Sequence, residues 1–173
     1  KVDKKIINYV KEKFNINMNN FENTKYNCFN DFFSKKLKPN ARVFNEKKEI
    51  LLQKRSMNKD IQPGKWDTAV GGHLKLGENY QEAASREMLE ELGIQCNNEF
   101  KFLFDSKIRN NIESENTRVF SVIHNGPFNP DLNEITELKF WTIEELKKNI
   151  GKGIFTSNLE LELKKIFQLY LIQ

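Results

Sequence analysis

The chain has 173 residues, of which 38% are hydrophobic and 30% are charged, and its formal net charge is +4. This length suits one ordinary domain with an extension, and the composition lies within the range of soluble globular proteins. The sequence contains neither an apolar run near the roughly 18 residues of a membrane span nor a signal-peptide pattern at its start, so we expect no membrane span.

The two cysteines, Cys28 and Cys96, lie far apart and do not form a C-x-x-C pair. We expect reduced thiols rather than a disulfide, and therefore a cytoplasmic protein. Residues 1–48 carry 12 Lys/Arg and 5 Asp/Glu, a net of +7, so residues 49–173 carry −3. The basic segment either attracts phosphate-rich partners or an anionic surface, or simply keeps an extension soluble, and both interpretations stay open.

The beginning of the chain predicts a small N-terminal helical extension. Apolar residues recur at helical spacing over 2–14, and a second short helix is expected over 28–37. Pro39 then breaks the helical pattern. We therefore divide the chain into a helical extension over 1–44 and a main domain over 45–173.

Short strands follow the extension, because segments rich in β-branched and aromatic residues replace the helical pattern. Pro63 and Gly64 mark a turn between the first two of these segments. Five segments are predicted as strands: 49–54, 66–70, 100–105, 117–124 and 136–141.

A helix is expected between the second and the third strand. It begins near Asn79, where the side chain of Glu82 completes the cap, and it ends at Gly93. Its buried side is formed by apolar residues one turn apart, with one more at the flank: Ala84, Met88, Leu92 and the flanking Leu89.

Two more helices are expected after the last strand. The first is capped by Thr142 and runs to about Asn149, and the second runs from about Ser157 to Leu171. The apolar residues of the last helix are Leu159, Leu163, Ile166, Phe167 and Tyr170. Strands on both sides of a central helix, followed by two helices, imply an α/β (α+β) sandwich with a mixed β-sheet.

The most informative segment is GHLKLGENYQEAASREMLEELGI, which follows Gly71. Glu87, Glu90 and Glu91 are related by i, i+3 and i+4, so they point from one side of the predicted helix. Arg86 is the one cation near them in the sequence. A bound divalent cation would make such a cluster of like charges favourable, and a hard cation such as Mg²⁺ takes oxygen ligands.

This segment resembles the Nudix box, whose pattern is G, five residues, E, seven residues, and R-E-apolar-x-E-E-x-G-apolar. Nine defined positions over 23 residues match, which makes the signal strong. The matching residues are Gly72, Glu78, Arg86, Glu87, Met88, Glu90, Glu91, Gly93 and Ile94. The resemblance implies a mixed sheet between helices, with the box forming a loop, a helix and a second loop.

The resemblance also implies a catalytic site. Glu87, Glu90 and Glu91 would be catalytic carboxylates that hold Mg²⁺ or Mn²⁺, and the carbonyl of Gly72 would add an oxygen ligand. Arg86 would join the catalytic set and, with Glu78 behind the ligands, orient them through a salt bridge. A simple i, i+4 pair between Arg86 and Glu90 is compatible with this role.

The implied reaction is metal-dependent hydrolysis of a diphosphate bond in a nucleoside diphosphate linked to another group, or in a related small molecule. The catalytic base stays open. Glu113 and Glu115 lie in a predicted loop, whereas Glu134 and Glu137 flank the last strand and are favoured. A nucleic-acid partner is not expected, and a homodimer is one candidate for the oligomeric state.

The branch of the family is suggested by the run that leads into the box, which resembles the Nudix hydrolases most akin to isopentenyl-diphosphate isomerases. Lys54 and Arg55, with Gln53 and Lys59 beside them, are candidates for binding the substrate phosphates, unless they simply form a polar hairpin. Trp66 is a candidate for stacking on a base or for packing in the core. His73 lies either near the metal and phosphates or in a structural role in its loop. These substrate-binding candidates are Arg55, Lys54, Trp66 and His73.

An isomerase is the enzymatic alternative, and its family needs a cysteine just ahead of the position of His73. The four residues ahead of His73 are Ala69, Val70, Gly71 and Gly72, so none of them is a cysteine. The other histidine, His124, lies downstream. Isomerisation is therefore disfavoured. A nucleotide-binding sensor without turnover is the second alternative, but such relatives lose box glutamates and this chain keeps them all.

Residues 1–44 carry a weaker resemblance to the N-terminal part of bacterial phosphatidylserine decarboxylases, through the run FNDFFSKKLKPNAR. Those enzymes need a late Gly-Ser-Thr site that generates their pyruvoyl group, and this chain has no such motif. Decarboxylation is therefore excluded. The segment is interpreted either as a helical cap or as a module for docking, dimerisation or lipid-surface contact.

Overall fold

The structure, a computed structural model, describes residues 37–96, 100–109 and 114–171. The described residues form seven strands and three helices, and the order of strands before and after a central helix, followed by two helices, is the one that the sequence predicted. The elements are β1 (Leu37–Phe44), β2 (Ile50–Arg55), β3 (Trp66–Thr68), β4 (Val70–Gly71), α1 (Tyr80–Leu92), β5 (Lys101–Arg109), β6 (Ser114–Ile123), β7 (Ile135–Trp141), α2 (Ile143–Asn149) and α3 (Ser157–Leu171).

The strands form one mixed sheet in the order β3-β2-β1-β6-β5, with β4 paired to β1 and β7 paired to β2. β1 pairs with β6 in parallel over the whole length of β1, while the other pairs of named strands are antiparallel. The central position of β1 matters for the site, because its first half pairs with β4, which leads directly into the box. Asn40 lies opposite Gly71 in that pairing.

Helices cover both faces of the sheet, which confirms the expected α/β sandwich. α1 packs on one face through Ala84, Met88 and Leu92, together with buried residues of β1 and β6. α2 and α3 pack on the other face, where Leu146, Leu163 and other apolar side chains contact β2. Leu89 was expected to flank the buried side of α1, but it is 53% exposed. The sheet is contacted instead by Ala84, Met88 and Leu92, which follow one another at intervals of about one helical turn.

The strand β1 corrects the sequence interpretation. Leu37 was expected to end a helix and residue 44 to end the extension, whereas Leu37–Phe44 is a central strand of the sheet. The strand was hidden because Asn40 and Arg42, both polar, are buried in it and interrupt the apolar signal. The domain therefore includes residues 37–44. The helix expected over 2–14 and all but the last residue of the helix expected over 28–37 lie outside the described residues.

The other predicted strands are confirmed with shifts of a few residues at their ends. The segment 66–70 is divided into β3 and β4 at Ala69. β5 and β6 are longer than expected, reaching Arg109 and starting at Ser114, so Glu115 lies in a strand rather than in a loop.

Capping fixes the start and end of the box helix. The Asn79 side chain accepts hydrogen bonds from the backbone N–H groups of Gln81 and Glu82 at 2.9 and 3.0 Å, and Glu82 accepts from the Asn79 N–H at 2.8 Å. Gly93, with φ of 68°, ends the helix in the left-handed conformation. The Thr142 cap of α2 and the range of α3 are confirmed as well. Within the described part of the chain, no helix is long and apolar enough to cross a membrane.

Candidate active site

Arg86, on the first half of α1, connects the glutamates of the box. Its guanidinium binds Glu78 through two hydrogen bonds of 2.7 and 3.0 Å, from Nε and Nη2. Nη1 donates to Glu87 at 2.5 Å and to Glu90 at 2.9 Å, and Nη2 also donates to the carbonyl of His73 at 2.9 Å. The bonds to Glu78 raise the pKa of Arg86 and lower the pKa of Glu78, so both groups stay charged.

The carboxylate of Glu87 lies against the backbone of Gly72. A Cβ added at Gly72 would overlap this carboxylate, so only glycine allows the approach. The Glu87 side chain is mostly buried, at 12% exposure, and its contact with Arg86 fixes its orientation. The loop before the helix and the middle of the helix are thus brought together at two of the positions predicted to hold a metal.

Glu91 lies one turn after Glu87 on the same side of α1 and accepts a hydrogen bond from the Gly71 N–H at 3.0 Å. Burial, together with the nearby charges of Glu87 and Glu134, raises the pKa of Glu91 to about 8, against the opposing effects of the Gly71 hydrogen bond and the charge of Lys38. A carboxylate that is costly to ionise among other carboxylates is one that a cation would stabilise.

Glu90 is placed differently from its two neighbours. Its side chain is half exposed and accepts hydrogen bonds from Lys75 at 3.1 Å and from Arg86 at 2.9 Å. Burial opposes ionisation, but these two bonds outweigh it and hold the pKa of Glu90 below its ordinary value. The three box carboxylates were expected to hold one metal ion. Glu90 is joined to Glu87 through Nη1 of Arg86, and the two carboxylates that contact the glycines before the helix are Glu87 and Glu91.

A cavity of about 300 Å³ lies next to these two carboxylates. One side of it is acidic, with Glu87, Glu91 and Glu134, and the backbone of Gly72 lies beside them. The rest of the lining includes the cationic and polar residues Lys38, Gln53, Arg55, Lys59 and His73, and the two kinds of residue meet where Lys59 binds Glu134 and Arg55 binds Asp67. A cavity lined by both carboxylates and cations suits a ligand that carries phosphate groups together with a divalent cation.

The residues predicted as candidate catalytic bases differ in whether they line the cavity. Glu134 lines the cavity, and Lys59 holds its carboxylate at 2.8 Å. Glu137 is half exposed, pairs with Lys54 at 3.7 Å across the β2–β7 ladder, and does not line the cavity. Glu113 lies outside the described residues.

Glu115 lies close to His73 at the end of β6. Its Oε1 is 2.6 Å from Nε2 of His73, and its Oε2 is 3.8 Å from Nζ of Lys38. Burial opposes ionisation of Glu115, but these two partners outweigh it and lower its pKa. The pairing orients the imidazole of His73 at the edge of the cavity.

The predicted substrate-binding residues are separated by the structure. Arg55 and His73 line the cavity, and Arg55 is fixed by hydrogen bonds to Asp67 at 3.2 Å and to the Ile61 carbonyl at 3.0 Å. Lys54 points elsewhere, since successive strand residues face opposite sides. Trp66 is buried and packs edge-on against Trp141 at 5.2 Å, so it is a core residue here.

Four cavity residues were not predicted from the sequence as site residues: Lys38, Asp67, Thr68 and Gly71. Lys38 was missed because its segment was interpreted as the end of a helix. Asp67 and Thr68 were treated only as part of a strand, although a polar pair within an apolar strand is a usable signal of a site at the strand end.

The donor set fits Mg²⁺ or Mn²⁺, because it consists of oxygen atoms: the carboxylates of Glu87 and Glu91 and the carbonyl of Gly72. Among the described residues, no three His, Cys, Asp or Glu side chains are grouped so that they could hold a metal ion. Mg²⁺ is commonly held by one or two carboxylates with water and substrate phosphate completing its shell, so the pair is sufficient.

Comparisons with known proteins concern the family and the fold. A family model described as NUDIX domain matches residues 37–159. An uncharacterized Nudix hydrolase of Pseudomonas aeruginosa is 36% identical over 104 residues, which cover 57% of this chain and 57% of that protein. The chain thus spans little more than half the length of the curated Nudix hydrolases of Pseudomonas aeruginosa and Yersinia pestis that it matches.

Two further relatives were found. An isopentenyl-diphosphate Delta-isomerase of Streptomyces avermitilis is 30% identical over 120 residues, which cover 66% of this chain and 61% of that protein. The crystal structure of a MutT protein from Methanosarcina mazei matches with a TM-score of 0.66 and 22% identity, covering 78% of this chain and 94% of that chain. This last likeness concerns the fold alone.

Proposed function

Because this chain belongs to the Nudix family, we propose that it hydrolyses a diphosphate bond in a small molecule with the help of Mg²⁺ or Mn²⁺. The proposed substrate class is a nucleoside diphosphate linked to another group, or a related compound. One observation carries the proposal: Glu87 and Glu91 line the same cavity as Gly72. The cations Lys38, Arg55 and Lys59 line this cavity as well.

Each part of this cavity has a proposed role. A bound dication screens the charge of the diphosphate and lowers the pKa of a water molecule beside it. Glu87, Glu91 and the carbonyl of Gly72 would hold that cation, and Arg86 keeps the carboxylate of Glu87 in place. Lys38 supplies a positive charge for the phosphate oxygens.

Glu134 is the proposed base. It lies in the cavity, its carboxylate is 45% exposed and so accessible to water, and Lys59 at 2.8 Å holds its position. Glu115 is a weaker candidate, because its two oxygens already face His73 and Lys38. Glu137 lies outside the cavity and is not proposed as the base.

The test is turnover of a substrate panel with Mg²⁺: ADP-ribose, NADH, CoA, dinucleoside polyphosphates, dNTPs and isopentenyl diphosphate. The proposal expects phosphate or nucleotide release from at least one nucleotide, and none when the metal is removed by a chelator. Glu91→Gln should lower kcat by at least about a hundredfold. Glu144→Gln, a matched change on the exposed side of α2, should leave kcat unchanged. Release of product that is insensitive to the chelator would contradict the proposal.

The isomerase is the second candidate, because the Streptomyces avermitilis relative carries that name. The residues of the cavity disfavour it for this chain. No cysteine precedes His73 in positions 69–72, and the other histidine, His124, accepts a hydrogen bond from the Gly126 N–H and stacks near Phe128, away from the cavity. Double-bond migration in isopentenyl diphosphate without release of diphosphate would favour the isomerase, and tight binding of a nucleotide without turnover would favour a sensor.

A further inference from the structure

We infer that a groove on the α2–α3 side of the protein binds one molecule of a single-chain anionic amphiphile, an acyl or prenyl chain with a carboxylate or phosphate head. The groove has a volume of about 490 Å³ and lies between the β1–β2 turn, the ends of β5 and β6, and the helices α2 and α3. This volume falls within the roughly 300–1,000 Å³ of small-molecule sites. The inference does not depend on the proposed hydrolase activity.

The inner part of the groove is apolar. Phe44 and Phe167 belong to the core under α2 and α3 and are nearly buried, and Ile143 packs beside them. Ile123, at the end of β6, completes the apolar lining and is 64% exposed. An isoleucine side chain so exposed next to two phenylalanine rings offers a surface that a hydrocarbon chain would cover, with a gain of about 25 cal/mol per Å² buried.

The mouth of the groove is cationic. Lys48, Lys101 and Lys147 line it and are exposed, and the ammonium of Lys147 lies 5.6 Å from the ring centre of Phe167. None of these three lysines forms an ion pair with another described residue. Glu46 is the one carboxylate in the lining, so the mouth favours an anionic head group.

The groove is separate from the candidate active site. Asn40 pairs with Gly71 beside the box, and Phe44 lies four residues further along the same strand. Four residues of a strand span about 13 Å. The groove and the catalytic cavity also share no lining residue. A ligand in the groove would therefore not occupy the position of the diphosphate substrate.

The groove has three candidate occupants: the N-terminal residues 1–36, a membrane surface and a dissolved amphiphile. The charge and the shape of the groove favour the amphiphile. Residues 1–36 carry eight lysines and four acidic residues, so their net charge has the same sign as the lysines of the mouth and does not complement it. A flat membrane surface cannot reach the inner phenylalanines of a concave groove. A dissolved amphiphile with one chain and one negative head satisfies both the apolar interior and the cationic mouth.

The experiment is isothermal titration calorimetry of the full chain with decanoate at low salt, with 1-decanol as the uncharged probe of equal chain length. We expect saturable one-to-one binding of decanoate and weaker binding of decanol. Lys101→Glu should weaken decanoate binding about tenfold, and Ile123→Glu should reduce it below detection. Both side chains are exposed, so the variants should melt like the wild-type protein in circular dichroism.

Two matched variants separate the groove from general surface effects. Lys107→Glu changes an exposed lysine of the same strand β5 outside the groove, and Leu161→Glu changes a 55% exposed leucine on α3 outside the groove. Both should bind decanoate like the wild-type protein. The inference is overturned by absence of decanoate binding, by equal binding in Ile123→Glu, or by binding only to vesicles of anionic phospholipid.

Discussion

At the residue scale, the geometry of Arg86 shows why this position of the box is an arginine. A planar guanidinium can serve Glu78, Glu87, Glu90 and the His73 carbonyl at once, because its five N–H groups point in fixed directions. Lysine would keep the charge but could not hold all four partners in place. We therefore propose that Arg86 acts by positioning the carboxylates.

Arg86→Lys should lower the stability of the folded protein by about 1–3 kcal/mol, since it leaves partly buried acceptors without donors. It should lower kcat by about 10- to 100-fold, because Glu87 loses its orientation. Urea unfolding and steady-state kinetics measure the two effects. Arg118→Lys is the matched control, since Arg118 pairs with Asp105 on the surface and should change stability by about 1 kcal/mol or less. A wild-type kcat in Arg86→Lys would contradict the positioning role.

Glu91 should make stability and metal binding depend on pH. Its pKa in the folded protein, about 8, lies above the ordinary value of 4.5, so the folded state holds this proton more tightly than the unfolded chain. In metal-free protein the resulting stabilisation is fully present below about pH 4.5 and is lost as the pH rises through 8. The Mg²⁺ affinity should rise over the same window, because a ligand must first lose its proton.

Thermal melts with a chelator from pH 5 to 9 and Mg²⁺ titrations over the same range measure both effects. Glu91→Gln should remove most of the pH dependence of the melting temperature. Glu90→Gln is the comparison within the box, because the pKa of Glu90 is lowered rather than raised and its charge persists across this range. If the melting temperature changed with pH equally in the wild-type protein and in Glu91→Gln, the assignment of this pH dependence to Glu91 would be contradicted.

At the element scale, the contact between the box loop and helix α1 depends on the missing side chain of Gly72. Gly72→Ala should cost about 1–3 kcal/mol of stability, because the new methyl group overlaps the Glu87 carboxylate. In a Glu87→Ala background the same change should cost less than about 0.5 kcal/mol. Urea unfolding of the four proteins gives this double-mutant cycle, and equal costs in both backgrounds would show that the contact does not restrict position 72.

Helix α1 was predictable from its sequence because its signals are local: the Asn79 cap, the apolar stripe and the left-handed Gly93. The strand β1 was not, because its identity depends on tertiary context. Asn40 and Arg42 are buried there only because Glu162 on α3 lies opposite them. Burial of polar residues by a partner distant in sequence leaves no periodic signal in the strand itself.

At the scale of the whole molecule, the ion pair between Arg42 and Glu162 joins the centre of the sheet to α3. Both side chains are almost fully buried, and burial lowers the pKa of Arg42 to about 10. Glu162→Gln should cost about 3–5 kcal/mol, because it leaves a buried charge without its counter-ion. The double variant Arg42→Met/Glu162→Leu should recover most of that loss.

Guanidinium-induced unfolding of the single and double variants measures this coupling. Glu160→Gln, on the same helix and only partly buried, is the matched single change and should cost less than about 1 kcal/mol. A Glu162→Gln variant as stable as Glu160→Gln would contradict the structural role of the pair.

The candidate site was predictable from the sequence only as far as it lies in one continuous segment. The box residues Gly72, Glu87 and Glu91 could be identified from spacing alone. Lys38 and Glu134 reach the same cavity from opposite ends of the domain, and only the pairing of β1 with β4 and of β2 with β7 brings them there. Binding of the cation by Glu90 stays a prediction: its carboxylate shares Nη1 of Arg86 with Glu87 but does not line the cavity.

The central claim is that Glu87 and Glu91 hold a hard dication beside a diphosphate. Its most direct test is a Mn²⁺ titration followed by electron paramagnetic resonance, with methylene diphosphate present as a non-hydrolysable ligand. Wild-type protein and Glu144→Gln should bind Mn²⁺ equally, whereas Glu87→Gln and Glu91→Gln should bind it at least about a hundredfold more weakly. Equal Mn²⁺ affinity in all four proteins would contradict the account.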